Sequence, residues 1–116
     1  MTDEYYAIAC RPAIPGARGA IITTVCLSGE FDLGASAALR AAILRAVVAG
    51  TCTRIEIDLA QVGFIDSETV RVLLEGYTAA SSQGLSYRLI NAHGVVRRVL
   101  DVMGLTTLIR LDEPIT

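Results

Sequence analysis

Asp66-Ser67-Glu68-Thr69 places two carboxylates and two hydroxyls where an apolar run gives way to an amphipathic segment. A helix that starts there exposes unpaired backbone N–H groups and a partial positive charge in its first turn. Asp66 or Ser67 can accept a hydrogen bond from an N–H one turn in and act as a simple cap, and the acidic Glu68 suits the same first turn. The hydroxyl of Ser67 is equally placed where a phosphate can be added and tolerated. The two roles coexist, because a residue at a helix start stays partly exposed. Glu30 and Asp32, in Gly29-Glu30-Phe31-Asp32-Leu33-Gly34, form a second acidic pair ahead of a helix. Taken alone they read as polar loop residues.

Other chemistry finds little support. A phosphate-binding Gly-x-x-x-x-Gly-Lys loop needs a lysine, and the chain has ten arginines and no lysine. No glycine-rich dinucleotide fingerprint follows either early strand. A serine-hydrolase reading would join Ser67 to the single histidine, His93, yet no Gly-x-Ser-x-Gly elbow surrounds the serine. His93 sits at a strand-to-helix turn as a solvated or capping residue, and Glu56 and Asp58 read as the polar face of a strand. Cys10, Cys26 and Cys52 are widely spaced, with no Cys-x-x-Cys pair, and read as buried, reduced thiols. We expect no enzyme activity, no cofactor and no metal.

The chain has 116 residues, a length that suits one domain around one core. Hydrophobic residues make up 53% and aromatics only 5%, so the expected core is Ala, Val, Ile and Leu. Apolar stretches are broken by charge well before membrane-spanning length, and the acidic start lacks the design of a secretory signal. Net charge is −2 with the arginines scattered, which argues against a nucleic-acid surface. The expectation is a cytoplasmic protein that neither inserts in a membrane nor binds nucleic acid directly.

Hydrophobic periodicity supplies the elements that must position the acidic pairs. Tyr5 to Cys10 and Ala20 to Ser28 read as paired strands around a Pro-Gly turn region. A helix over Ser36 to Val48 buries Leu39, Ala42, Ile43, Ala46 and Val47, with Gly50 as its stop. Arg54 to Leu59 alternates as a half-buried strand. The next helix begins near Ser67 with Val70, Leu73, Leu74 and Tyr77 as its stripe, and it gives way at Gly84 to a strand marked by Leu85, Tyr87 and Leu89. A third helix turns Val95, Val96, Val99, Leu100 and Met103 inward and stops at Gly104. A tail from Leu105 adds a short strand or helical turn around Leu108 and Ile109. The order β-β-α-β-α-β-α plus a C-terminal tail predicts a single α/β domain over 1–116, with a mixed sheet flanked by helices.

These segments, in this order, resemble STAS domains, and among them the anti-sigma factor antagonists of bacterial partner-switching pathways. Leu27-Ser28-Gly29-Glu30-Phe31-Asp32-Leu33 is similar to the family's approach to its first helix. Ile55 to Leu59 followed by Val62-Gly63-Phe64-Ile65-Asp66-Ser67 resembles its signature strand and Asp-Ser junction. Arg88 to Asn91 and Val95 to Leu105 resemble its last strand and helix.

The resemblance implies that Ser67 is phosphorylated by the partner, an anti-sigma factor with a histidine-kinase-like ATPase fold. The unmodified protein would bind that partner and free a sigma factor, as in stress responses. The phosphorylated protein would not bind, and a PP2C-type phosphatase would reset it. Glu30, Asp32, Asp66, Ser67, Glu68 and Thr69 are the implied partner surface. The alternative is a STAS scaffold or accessory subunit, for example of a lipid-transport complex, that binds its partner constitutively. The chain departs from the family where Glu68-Thr69 replaces a small residue and glycine. Added charge and a β-branched side chain are thus expected beside the acceptor hydroxyl.

Overall fold

The computed structural model describes residues 5–32 and 34–105 and the backbone of 110 and 111. Its longest strands lie at the centre. β1 (Tyr6–Cys10) and the two-residue β2 (Ile14–Pro15) both pair antiparallel with β3 (Ile21–Phe31). Then follow α1 (Ser36–Val48), β4 (Arg54–Ile65), α2 (Ser67–Ser82), β5 (Ser86–Ile90), α3 (Gly94–Val102) and β6 (Arg110–Leu111). The sheet order is β1-β3-β4-β5-β6, and all pairs from β3 onward are parallel. The mixed α/β architecture expected from the element order is therefore present. The turn or strand expected around Leu108 and Ile109 lies outside the described residues.

Successive parallel strands step one way across the sheet, and right-handed crossovers place their helices on one face. The inward residues of the strands, Val25, Leu27, Ile55, Ile57, Leu59, Tyr87 and Leu89, share one core with the helices. In α1 the five residues expected inside are the five buried. In α2 the buried face is rotated from the expected stripe: Val70 and Leu73 are joined by Val72, Gly76 and Ala80, while Leu74 and Tyr77 are half-buried. Gly76 explains the rotation. A Cβ there would lie 2.7 Å from Ile43 Cγ2 of α1 and 2.6 Å from the Tyr87 hydroxyl of β5, so α2 approaches both on its glycine side. The Tyr87 hydroxyl donates to the Leu73 carbonyl at 2.9 Å, and burial pushes its pKa well above that of a free phenol.

The inward face of α3 and the ends of the central strands also differ from expectation. α3 buries only Val96 and Leu100, whereas Val95 is 61% exposed and Met103 is also exposed. Val95 lies about 100° around the helix from Val96, and Met103 is the C-cap, where the helix has ended. The central strands also run further than the alternation indicated, β3 to Phe31 and β4 to Ile65 rather than Leu59.

The β3–β4 register gives the reason. Cys26 faces Asp58 while Ser28 faces Gln61, and Gly29 faces Val62 while Glu30 faces Phe64, so β4 carries an extra residue at each of two bulges. Each bulge breaks the period of two, and the buried positions become Leu59, Val62 and Ile65. The first bulge lies just beyond the last β4–β5 pair, Asp58 with Ile90. Asp58 Oδ1 accepts from the Ala60 N–H and from Asn91 Nδ2, both at 3.0 Å. His93 Nε2 donates to the Ala60 carbonyl at 2.9 Å, which fixes the proton on that nitrogen. Asp58 and His93 thus satisfy backbone and side-chain groups where the ladder stops.

Candidate functional site

β3 and β4 end side by side, with Glu30 opposite Phe64 and Phe31 opposite Ile65. Both acidic pairs therefore stand at the C-terminal ends of adjacent parallel strands, the position where open α/β sheets present their loops for binding. The Asp66 N–H donates to the Phe31 carbonyl at 3.1 Å and ties the two ends together. On the β3 side Phe31 is buried, with its ring 5.3 Å from that of Tyr6, and Glu30 and Asp32 flank it exposed. Asp32 turns the chain toward α1: its carbonyl accepts from the Ala35 N–H at 2.9 Å. Glu30 is on the strand itself, not in a loop.

The two capping candidates separate cleanly. Asp66 has extended backbone angles (φ −102°, ψ 179°) and is the N-cap of α2; its Oδ1 accepts from the Thr69 N–H at 2.8 Å. Ser67 is the first helical residue, exposed, and its hydroxyl has no hydrogen-bond partner among the described residues. A neighbour performs the capping, so the Ser67 oxygen is available for other chemistry.

Thr69 is fully buried, which corrects its expected place on the partner surface. Its Oγ1 lies 2.8 Å from Asp66 Oδ1 and 3.0 Å from the Phe31 carbonyl, and its one proton serves either acceptor. The β-branched side chain therefore points inward and offers no bulk beside Ser67. It joins the end of β3 to the start of α2. Thr69→Val keeps the shape but removes the hydroxyl, and is expected to lower stability by about 1–2 kcal/mol in urea unfolding.

Glu68 does not stand as a bare charge either. Its Oε1 accepts from Arg71 Nη2 at 2.8 Å, and its Oε2 lies 3.8 Å from Arg40 Nη2 on α1. Arg40 also donates from Nε to Glu75 Oε1 at 2.7 Å. That bond and the accompanying charge attraction hold the Glu75 carboxyl below its ordinary range and the Arg40 guanidinium above its own. The chain Arg71–Glu68–Arg40–Glu75 draws Glu68 along the α1–α2 surface and compensates it twice.

Phe64 was not singled out by the sequence pattern. It is 42% exposed, beside Glu30 and two residues before Asp66. The second bulge puts it there: without the extra residue it would alternate inward. The available signal was Gly63, since a glycine inside a strand marks a bulge. Among the described thiols only Cys52 is buried, whereas Cys26 is half-buried and Cys10 exposed, which corrects the expectation of three buried cysteines. Among the described residues no group of three or more His, Cys, Asp or Glu is arranged to hold a metal ion, and no helix is long and apolar enough to cross a membrane.

A family model described as "Mlab, STAS domain" matches residues 18–110. Among solved structures, an anti-sigma factor antagonist from Mycobacterium paratuberculosis is 23% identical, with a TM-score of 0.77 over 95% of this chain and 87% of that one. The anti-sigma factor antagonist SpoIIAA in its unphosphorylated form is also 23% identical, with a TM-score of 0.75 over 92% of this chain and 89% of that one. The Bacillus cell fate determinant SpoIIAA in its phosphorylated form is 22% identical, with a TM-score of 0.68 over 92% of each chain. These likenesses establish a shared fold.

Proposed function

The chain belongs to the STAS domain family, and from that premise we propose that it is an anti-sigma factor antagonist switched by phosphorylation of Ser67. The observation that carries this reading is the division of labour at the junction. Asp66 caps the helix, and Ser67, at its first position, presents a hydroxyl with no hydrogen-bond partner among the described residues. The partner is an anti-sigma factor with a histidine-kinase-like ATPase fold. It binds the unmodified face formed by Glu30, Asp32, Phe64, Asp66 and Ser67, and so releases a sigma factor in the cytoplasm.

In the kinase step the Ser67 oxygen forms a bond to the γ-phosphorus of ATP as the bond to the β,γ-bridging oxygen breaks. ADP leaves, and the serine proton goes to a base on the partner. The product adds about −1.5 to −2 charges to a face that already holds Glu30, Asp32 and Asp66. The helix start favours the anion in the free protein, but docking must desolvate it beside like charges. Binding is lost at the interface while the fold stays the same. A PP2C-type phosphatase restores the unmodified form.

Incubation with Mg-ATP and the anti-sigma ATPases of the same genome tests the assignment. A single phosphate mapped to Ser67 by mass spectrometry supports the switch. A stable complex with no phosphate transferred would instead identify a constitutive scaffold or accessory subunit. Within the same face Phe64 is the apolar anchor among acidic groups. Phe64→Ala is expected to weaken partner binding about tenfold or more by isothermal titration, with an unchanged melting temperature, because a half-exposed side chain contributes to docking more than to folding.

A further inference from the structure

Arg71 lies one turn beyond Ser67 on α2, at the i,i+4 spacing at which side chains on a helix become neighbours. It is 66% exposed, and its guanidinium holds Glu68 Oε1 at 2.8 Å. The other oxygen of Glu68 faces Arg40, itself anchored on Glu75. We infer that Arg71 is the internal counter-ion of a phosphate on Ser67, and that modification makes Arg71 exchange Glu68 for the phosphate while Arg40 keeps Glu68 compensated. The inference rests on Ser67 being the modified residue.

The exchange follows from charge and position. A phosphoserine carries up to twice the charge of a carboxylate and three acceptor oxygens, and a guanidinium fork binds it in bidentate fashion. An acid N-terminal to a cation at i,i+4 is also the favourable order on a helix. Glu68 is released without becoming an orphan, because Arg40 already spans both acids from α1. The charged groups around this end of the sheet are Asp66 at the N-cap, Glu68, Arg71 and Glu75 on α2, Glu30 and Asp32 at the end of β3, and Arg40 on α1, and Arg71 also attracts Glu75. Of the two arginines, Arg71 is the one at i,i+4 from Ser67 and the more exposed, whereas Arg40 is held on Glu75 at 2.7 Å. The phosphate is thereby partly compensated in the free protein while the face as a whole keeps the added negative charge, and a phosphatase must displace Arg71 to reach the phosphorus.

Phosphoserine placed at position 67 during translation allows the test without any kinase. The phosphate is followed by ³¹P NMR through its second ionisation. Arg71→Gln is expected to raise that pKa by about half a unit or more relative to wild type, because it removes the counter-ion of the dianion. The Arg71 Nε–H signal of the wild type is expected to move on modification. Equal phosphate pKa values in the two proteins, with an unmoved Arg71 signal, would overturn the exchange. Because the phosphate is built in, either result is independent of whether a kinase modifies Ser67. Failure of the kinase assay would count against the switch alone.

Discussion

Ser67→Asp is expected to weaken binding to the anti-sigma ATPase on the order of 100-fold, about 2.7 kcal/mol, with no loss of fold stability. The two halves of this result have different physical origins. In the free protein the new carboxylate sits at the first position of α2, exposed, where the helix end favours a negative charge by a few tenths of a kcal/mol. Asp66 still caps through the Thr69 N–H, so the local geometry has no reason to change. In the complex the same carboxylate must be desolvated beside Asp66, Glu30 and Asp32, and juxtaposed like charges at an interface cost several kcal/mol. Ser67→Ala is the complement: it keeps affinity, because the wild-type hydroxyl has no intramolecular partner among the described residues to lose, and it blocks modification. Isothermal titration of the three proteins, each with its melting curve, separates interface from fold.

Gly29→Ala is expected to destabilise the protein by about 3 kcal/mol or more, which for a domain of this size lowers the melting temperature by more than about 10 °C. Gly29 has φ +93°, a conformation that side-chain-bearing residues reach only with strain. A methyl group there would also run into the carbonyl oxygen of Tyr5, and that carbonyl accepts the Glu30 N–H at 2.8 Å. Backbone rather than a flexible side chain is in the way, so relief requires β1 and β3 to separate at the point where Gly29 pairs with Tyr6 and Val62. The same substitution at Gly34 meets no atom within 4 Å and has no positive φ to strain, so Gly34→Ala is expected to leave the melting temperature nearly unchanged. Gly29 also fixes where Glu30 emerges, so the rigidity of the acidic face and the stability of the sheet share one residue.

The parts of this fold that were legible in the sequence are those governed by a regular period. The five inward positions of α1, the helix start at Ser67 and the glycine stops at Gly50, Gly84 and Gly104 follow from helix periodicity and from φ > 0 at the helix ends. Irregularity hid the rest. Two bulges break the alternation of β4, so periodicity alone ends the strand at Leu59 and leaves Phe64 unmarked as a surface residue. The direction of a side chain at a helix start was equally opaque. By spacing, Thr69 and Glu68 are obstacles beside Ser67, yet one turns into the core and the other lies along α1, because Phe31 and Arg40 arrive from elements more than twenty residues away in the chain. Spacing located the acidic junction, whereas tertiary contact decided which of its residues face outward.

Whether Ser67 switches the protein between two binding states is tested directly by one titration. The anti-sigma ATPase is titrated with the unmodified protein and with protein phosphorylated stoichiometrically at Ser67, under the same salt and nucleotide conditions. The expected result is tight binding of the first, affinity lower by about two orders of magnitude or more for the second, and superimposable circular dichroism spectra for both. Equal affinities would rule out Ser67 as the switch.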